Sequence, residues 1–150
     1  HVEEALRREF AYVFAKKKYP GIPLINLNRI DSRTFELLGH YITPISVSHY
    51  IMPVFGYRFG EFCYVTDAKT IADAEIDKMK GAKVIVLNAL RKETHVSHLN
   101  LEEALSIISY LNPEIAYLTH LSHQMGLHDE VEKQLPKNVR LAYDGLKISI

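Results

Sequence analysis

Asn100-Leu101-Glu102-Glu103-Ala104-Leu105 opens a segment that runs past Pro113 into Ile115-Ala116-Tyr117-Leu118-Thr119-His120-Leu121-Ser122-His123, and the class of the protein turns on it. Asn100 with Glu103 three residues later is a capping-box start, with Asn in place of the usual Ser or Thr. Leu101, Ala104, Leu105, Ile108 and Leu111 fall on one helical face, and Pro113 follows the helix end. Ile115–Thr119 is short, apolar and β-rich, so it reads as a buried strand. A capped helix feeding a buried strand is one step of an alternating α and β pattern. His120 follows that strand directly, and layered α/β proteins build active sites from groups at the C-terminal ends of strands.

The neighbouring segments repeat the arrangement. Residues 84–87 form another wholly apolar strand, residues 62–66 lead to Asp67, and residues 45–48 lead to His49. Further strand signals lie at 24–27, 35–38 and 54–59, with Gly39-His40, Pro44, Pro53 and Gly60-Glu61 read as breaks. Gly60-Glu61 suits a two-residue hairpin turn, and Asp144-Gly145, between 139–143 and 146–148, is the strongest hairpin signal. Helices are expected at 2–17, ended by Tyr19-Pro20-Gly21-Ile22-Pro23, at 71–79, closed by Gly81, and at 127–135, ended by Pro136. The first half is thus largely antiparallel β, and the second alternates β and α. The helices can cover one face of such a sheet, and the other needs a partner layer.

With 150 residues and 47% hydrophobic content, the chain suits one globular domain or part of one. Its 18 basic and 18 acidic residues cancel, which removes the basic field that nucleic-acid binding needs. The Lys16-Lys17-Lys18 run suits a helix C-terminus. The single cysteine, Cys63, rules out an internal disulfide framework and a Cys-based zinc finger, and mid-strand it reads as a core residue. No apolar run approaches the ~18 residues of a membrane span. A cytoplasmic setting is the expectation. The chain begins at His1 rather than Met, which suggests a piece of something longer.

Chemistry has few places to reside. Asp67, between Thr66 and Ala68, is either a metal-bridging carboxylate or a turn residue before the helix at 71. His49 is either a ligand or a hydrogen-bonded rim residue. His120 and His123 stand where a strand meets a loop, and Thr119 or Ser122 could orient an imidazole there. His98 lies in the loop before Asn100. The span from His98 to His120 covers helix, turn and strand, which returns the chain to the same sheet edge. His1, His40, His95 and His128 read as surface residues. No phosphate-binding loop, dinucleotide fingerprint or nucleophile elbow is present.

Taken in order, Ser46-Val47-Ser48-His49, Tyr64-Val65-Thr66-Asp67-Ala68, Leu87-Asn88-Ala89-Leu90-Arg91, His95-Val96-Ser97-His98-Leu99, Leu118-Thr119-His120-Leu121-Ser122-His123 and Ala142-Tyr143-Asp144-Gly145-Leu146 resemble the C-terminal half of a metallo-β-lactamase-fold hydrolase. The branch is that of the phosphonate-pathway cyclic phosphodiesterase. The resemblance runs from Ile45 onward and is weaker before it. It implies an α+β fold, an αββα sandwich of which this chain supplies about the C-terminal half, with 1–30 as a linker or insertion helix and turn and 31–150 as sheet and helices. It implies two divalent metal ions, zinc or manganese, with iron as the alternative, His49 and His120 each on one metal and Asp67 bridging both. His98 would stand near the scissile phosphate, as general acid or oxyanion stabiliser, and His123 would be an outer or substrate-side residue. The family's His-x-His-x-Asp-His motif is absent from these residues and belongs upstream, so the chain alone should hold metal weakly. The implied substrate is a small phosphodiester, with a thioester or lactone as the alternative class. The rival reading is a non-catalytic fragment or partner domain that associates through its exposed sheet, with another chain or as a homo-oligomer.

Overall fold

Ile45 and Val47 are buried in an apolar core while Ser46 and Ser48 alternate with them on the opposite face, the period-two pattern of a strand. In the computed structural model, which describes residues 2–17 and 19–149, they belong to β2 (His40–His49). The surface reading of His1 and the last residue of the Lys16-Lys17-Lys18 run lie outside the described residues. The chain divides into two compact units, 1–31 and 32–150. The first holds α1 (Val2–Glu9) and α2 (Ala11–Phe14) rather than one helix over 2–17, because Phe10, at φ −111° and ψ 39°, leaves the helical region between them. Residues 24–27 run without strand pairing, contrary to the sequence pattern.

The second unit is built on one sheet in the order β1-β2-β3-β4-β6-β7-β8, where β1 is Phe35–Leu37, β3 Met52–Phe59, β4 Phe62–Val65, β6 Val84–Asn88, β7 Ile115–Thr119 and β8 Val139–Leu141. Strands β1 to β4 pair antiparallel, and β4, β6, β7 and β8 pair parallel, as the change of pattern along the sequence implies. The turn at Gly60-Glu61 joins β3 to β4, with Gly60 at φ +58°.

Pro44 and Pro53 are inside β2 and β3, not at breaks. The reason lies at the edge of β2. There β1 reaches only Ile42, and β5 (Thr70–Ile71) covers only Val47 and Ser48, so Pro44 faces a gap and needs no ladder donor. Helix α3 (Asp73–Asp77) and the residue after it fill that gap. Glu75 Oε2 accepts from Ser46 N–H at 2.7 Å, and Lys78 Nζ donates to Pro44 O at 3.2 Å. The edge pairing of Thr70 and Ile71 also shortens the helix expected over 71–79. The Asp144-Gly145 turn forms, closed by Leu146 N–H to Tyr143 O, yet no strand follows it. Only Gly145 of its central pair has positive φ, so the turn does not match the strand twist a two-residue hairpin requires.

Helix α4 (Leu101–Leu111) starts with both halves of the expected capping box and buries Ala104, Ile108 and Leu111. With α3 and α5 (His128–Glu132) it covers one sheet face, where Ile45, Val65, Ile85, Leu87, Leu118 and Val139 form the core. On the other face Phe55, Tyr57, Phe59 and Phe62 form a row of rings with centroids 6.3–6.5 Å apart. One α layer and one β layer are therefore present, a partial αββα arrangement. Gly56 of β3 lets β4 approach closely. A Cβ there would stand 2.7 Å from Val65 Cγ2 and 2.9 Å from the Tyr64 carbonyl oxygen. Backbone cannot yield as a side chain can, so Gly56→Ala should lower stability by about 1–3 kcal/mol. Urea unfolding measures this, and an unchanged midpoint would mean that the strands separate freely.

Candidate metal centre

Register explains why distant residues meet. Val65 pairs with Leu87, and Leu87 with Leu118, so the three parallel strands end level. Asp67 and His120 lie just beyond β4 and β7, and His49 ends β2 at the same edge. His98 arrives on the loop from β6 to α4, which is stitched down along its length. Ala89 N–H donates to Thr119 O at 2.9 Å, Leu90 N–H to Leu99 O at 2.9 Å, Leu99 N–H to Ala68 O at 2.8 Å, and Ser122 N–H to Leu90 O at 2.8 Å. The wholly buried Asn88 makes a second clamp on the residue after Asp67. Its Oδ1 accepts from Ala68 N–H at 2.9 Å and its Nδ2 donates to Ala68 O at 3.0 Å.

Asp67 and His120 adopt left-handed backbone, at φ +57° and +59°. Such conformations cost non-glycine residues of order 1–3 kcal/mol and persist where the surroundings fix them, commonly at functional sites. Asp67 caps no helix, since α3 begins after Ala72.

The four side chains converge. His49 Nε2 is 3.2 Å from His98 Nε2, His120 Nε2 is 3.6 Å from Asp67 Oδ1, and His98 Nδ1 is 4.0 Å from the same oxygen. The rings of His98 and His120 have centroids 4.5 Å apart. One donor atom each from His49, Asp67 and His98 lies within 4.8 Å of the others, close enough to share a cation. His98 Nδ1 is buried without a hydrogen-bond partner, and a buried nitrogen left so is costly. Burial, then the nearby His120 and His49 rings, hold the His98 imidazole below its ordinary range, and Asp67 opposes them. Nitrogen and carboxylate donors with no thiolate among them suit zinc, manganese or iron. Cys63 is not near this chemistry. It is buried in the core, and burial pushes its thiol up to about 11.

The remaining histidines separate clearly. His123 is exposed on a 3-10 turn (His123–Met125), and among the described residues no hydrogen bond, ion pair or ring contact joins it to the four. His40 is exposed, and His128 is exposed beside Asp129 and Glu132. His95 is not the surface residue expected. It is half-buried, with its ring stacked on His98 at 5.3 Å and an interplanar angle of 23°. The His95-x-x-His98 spacing was the only sequence signal for this. Asn88 gave none beyond its place at the end of an apolar strand. A hollow of about 770 Å³ lined by His40, Tyr41, Phe59, Lys83 and Glu114 lies at the opposite end of the strands and contains none of His49, Asp67, His98 and His120.

Residues 1–121 match the family model described as a beta-lactamase superfamily domain. An octanoyltransferase of Porphyromonas gingivalis (strain ATCC BAA-308 / W83) is 36% identical over 153 residues, covering all of this chain and 31% of that protein. A diphosphatase from the PhnP family superimposes with a TM-score of 0.86 at 34% identity, over 99% of this chain and 55% of that one. The metallo-beta-lactamase fold protein YhfI from Bacillus subtilis superimposes at 0.72 with 19% identity, over 95% of this chain and 61% of that one. The chain thus spans about a third of the octanoyltransferase and just over half of the diphosphatase. The ordered histidines and aspartate, the half-sandwich and the family match agree, and the chain belongs to the beta-lactamase superfamily domain family, corresponding to the C-terminal region of metallo-β-lactamase-fold hydrolases.

Proposed function

We propose that the protein of which this chain forms the described part is a metal-dependent phosphodiesterase. The observation that carries this is the convergence of His49, Asp67, His98 and His120 at one sheet edge, within 3.2–4.0 Å of one another in the contacts given above. Proteins of this fold generally bind divalent metals. His49, Asp67 and His120 would hold them. Bound there, such ions supply hydroxide at neutral pH and polarise a phosphoryl oxygen. His98, the most enclosed of the four, offers an N–H to an unesterified phosphoryl oxygen, where charge builds as the P–O bond breaks. His123, exposed on the turn after His120, would meet substrate rather than metal. The likeness to a diphosphatase at 34% identity favours a phosphorus ester.

A second reading, acyl thioester or lactone hydrolysis, is favoured by the octanoyltransferase relative. The same fold hosts several hydrolyses, so the substrate must be measured. The test is a panel run with the protein as its source makes it, loaded with zinc or manganese. It comprises bis(p-nitrophenyl) phosphate, a diester of diphosphate, an octanoyl thioester and a lactone. A phosphorus ester should lead in kcat/KM by at least about 100-fold, the scale set by buried polar groups left unpaired with the wrong substrate. An octanoyl thioester in the lead would overturn the phosphodiesterase reading in favour of the second.

A further inference from the structure

His95 carries more information than a stacked ring. Its Nδ1 lies 3.3 Å from the Ser97 backbone nitrogen and 3.2 Å from Ser97 Oγ. A backbone N–H can only donate, so Nδ1 is the acceptor and the ring's proton sits on Nε2 while that bond is made. Among the described residues no hydrogen bond engages Nε2. The segment that carries the ring is fixed as well. Arg91 donates to Thr94 O at 3.0 Å, to Glu93 O at 3.4 Å and to Gln124 Oε1 at 2.7 Å, tying the residues before His95 to the turn after His120. His95 is thus an oriented N–H donor, with no protein partner, against the face of His98.

We propose that His95 is a further substrate-contacting, specificity-determining residue, whose Nε2–H donates to an unesterified oxygen of a tetrahedral phosphoryl group held beside His98. This rests on the phosphodiesterase reading. The chemistry that separates the substrate classes is the number of acceptors. A phosphodiester has two unesterified oxygens that share a negative charge, whereas an acyl thioester or lactone has one carbonyl oxygen. A site with one N–H from His98 and a second, independently fixed N–H from His95 satisfies the phosphoryl group. It leaves one donor unpaired against a planar acyl group, which costs affinity for that class.

The test uses the metal-loaded protein as its source makes it, with His95→Phe, which keeps a stacked ring and removes the donor. His95→Gln is the rescue, since its amide nitrogen reaches about where Nε2 lies. Two quantities are read: KM and kcat separately for bis(p-nitrophenyl) phosphate, and the affinity for inorganic phosphate by calorimetry. His95→Phe should weaken phosphate binding and raise KM by about 10–100-fold, the range for a hydrogen bond to a charged group. The unfolding midpoint should move little, since the Ser97 N–H released in the Phe variant is half-buried and can meet water, and His95→Gln should recover most of the loss. Wild-type phosphate affinity in His95→Phe overturns the proposal. Equal losses in the Phe and Gln variants also overturn it, because a donor role would be rescued. If His95→Phe does not fold, His95→Asn is read instead. Its amide reaches the Nδ1 position and not Nε2, so the same loss is expected, and wild-type affinity would again overturn the proposal. A wild type that binds phosphate but turns over no phosphodiester would remove the function reading alone, and the phosphate affinities would still decide the role of His95.

Discussion

Asp67→Asn is expected to lower divalent-metal affinity by at least about 100-fold, the upper end of the range found for residues that merely support a ligand. Hydrolytic activity should fall at least in proportion. The choice of Asn matters because Asp67 sits at φ +57°. Asn tolerates the left-handed region as Asp does, so the backbone conformation survives and only the charge is removed. Ala would confound loss of a ligand with strain. Asp67 Oδ1 is 3.6 Å from His120 Nε2 and 4.0 Å from His98 Nδ1, so one carboxylate faces two imidazoles. Replacing it leaves only imidazole and amide donors among these four residues, and a divalent ion is held less well without that charge. The measurements are metal content after dialysis, by elemental analysis, and kcat/KM on the favoured substrate. A metal-replete, fully active Asp67→Asn protein would show that this carboxylate holds no metal.

Much of this centre was legible in the sequence because its residues follow strands, and strands are local. Apolar runs at 62–66 and 115–119 place Asp67 and His120 at their ends without knowledge of the sheet order, and the capping box at Asn100 fixed where the next helix starts. What escaped was set by tertiary partners. Pro44 looks like a strand breaker until the gap between β1 and β5 is seen, because its permission to sit in β2 comes from neighbours it does not touch in sequence. Ile71 opens a helical pattern, yet pairing with Val47 claims it as strand. Beyond its spacing from His98, His95 carries no local mark that distinguishes a surface imidazole from a stacked one. A histidine followed by Val96 and Ser97 reads equally well as either. The placement of the ring depends on Arg91 gripping the carbonyls before it, a contact that spacing does not encode.

The second large effect is expected at a residue that touches neither substrate nor metal. Asn88→Ala should destabilise the protein by about 2–5 kcal/mol and weaken metal binding along with it. Asn88 is wholly buried at the end of β6, and its amide matches both polar groups of Ala68, which is itself buried. Removing it strands the N–H of Ala68, a buried donor whose desolvation alone costs about 1–3 kcal/mol. The Ala68 carbonyl keeps one partner, Leu99 N–H at 2.8 Å, so the penalty there is smaller. The consequence for chemistry follows from position. Ala68 is the next residue after Asp67, and the Leu99 contact ties the same peptide to His98. When Asn88 lets go, Asp67 and His98 lose their common anchor, and the left-handed turn at Asp67 loses part of what holds it. Asn88→Asp separates the two clamps. It keeps the acceptor for Ala68 N–H, removes the donor to Ala68 O, and buries a charge, so it should be no more stable than the Ala variant. Urea unfolding gives the stability, and metal titration of the folded fraction at low denaturant gives the second quantity. A stable Asn88→Ala protein with wild-type metal affinity would mean that Asp67 is positioned by its own turn alone.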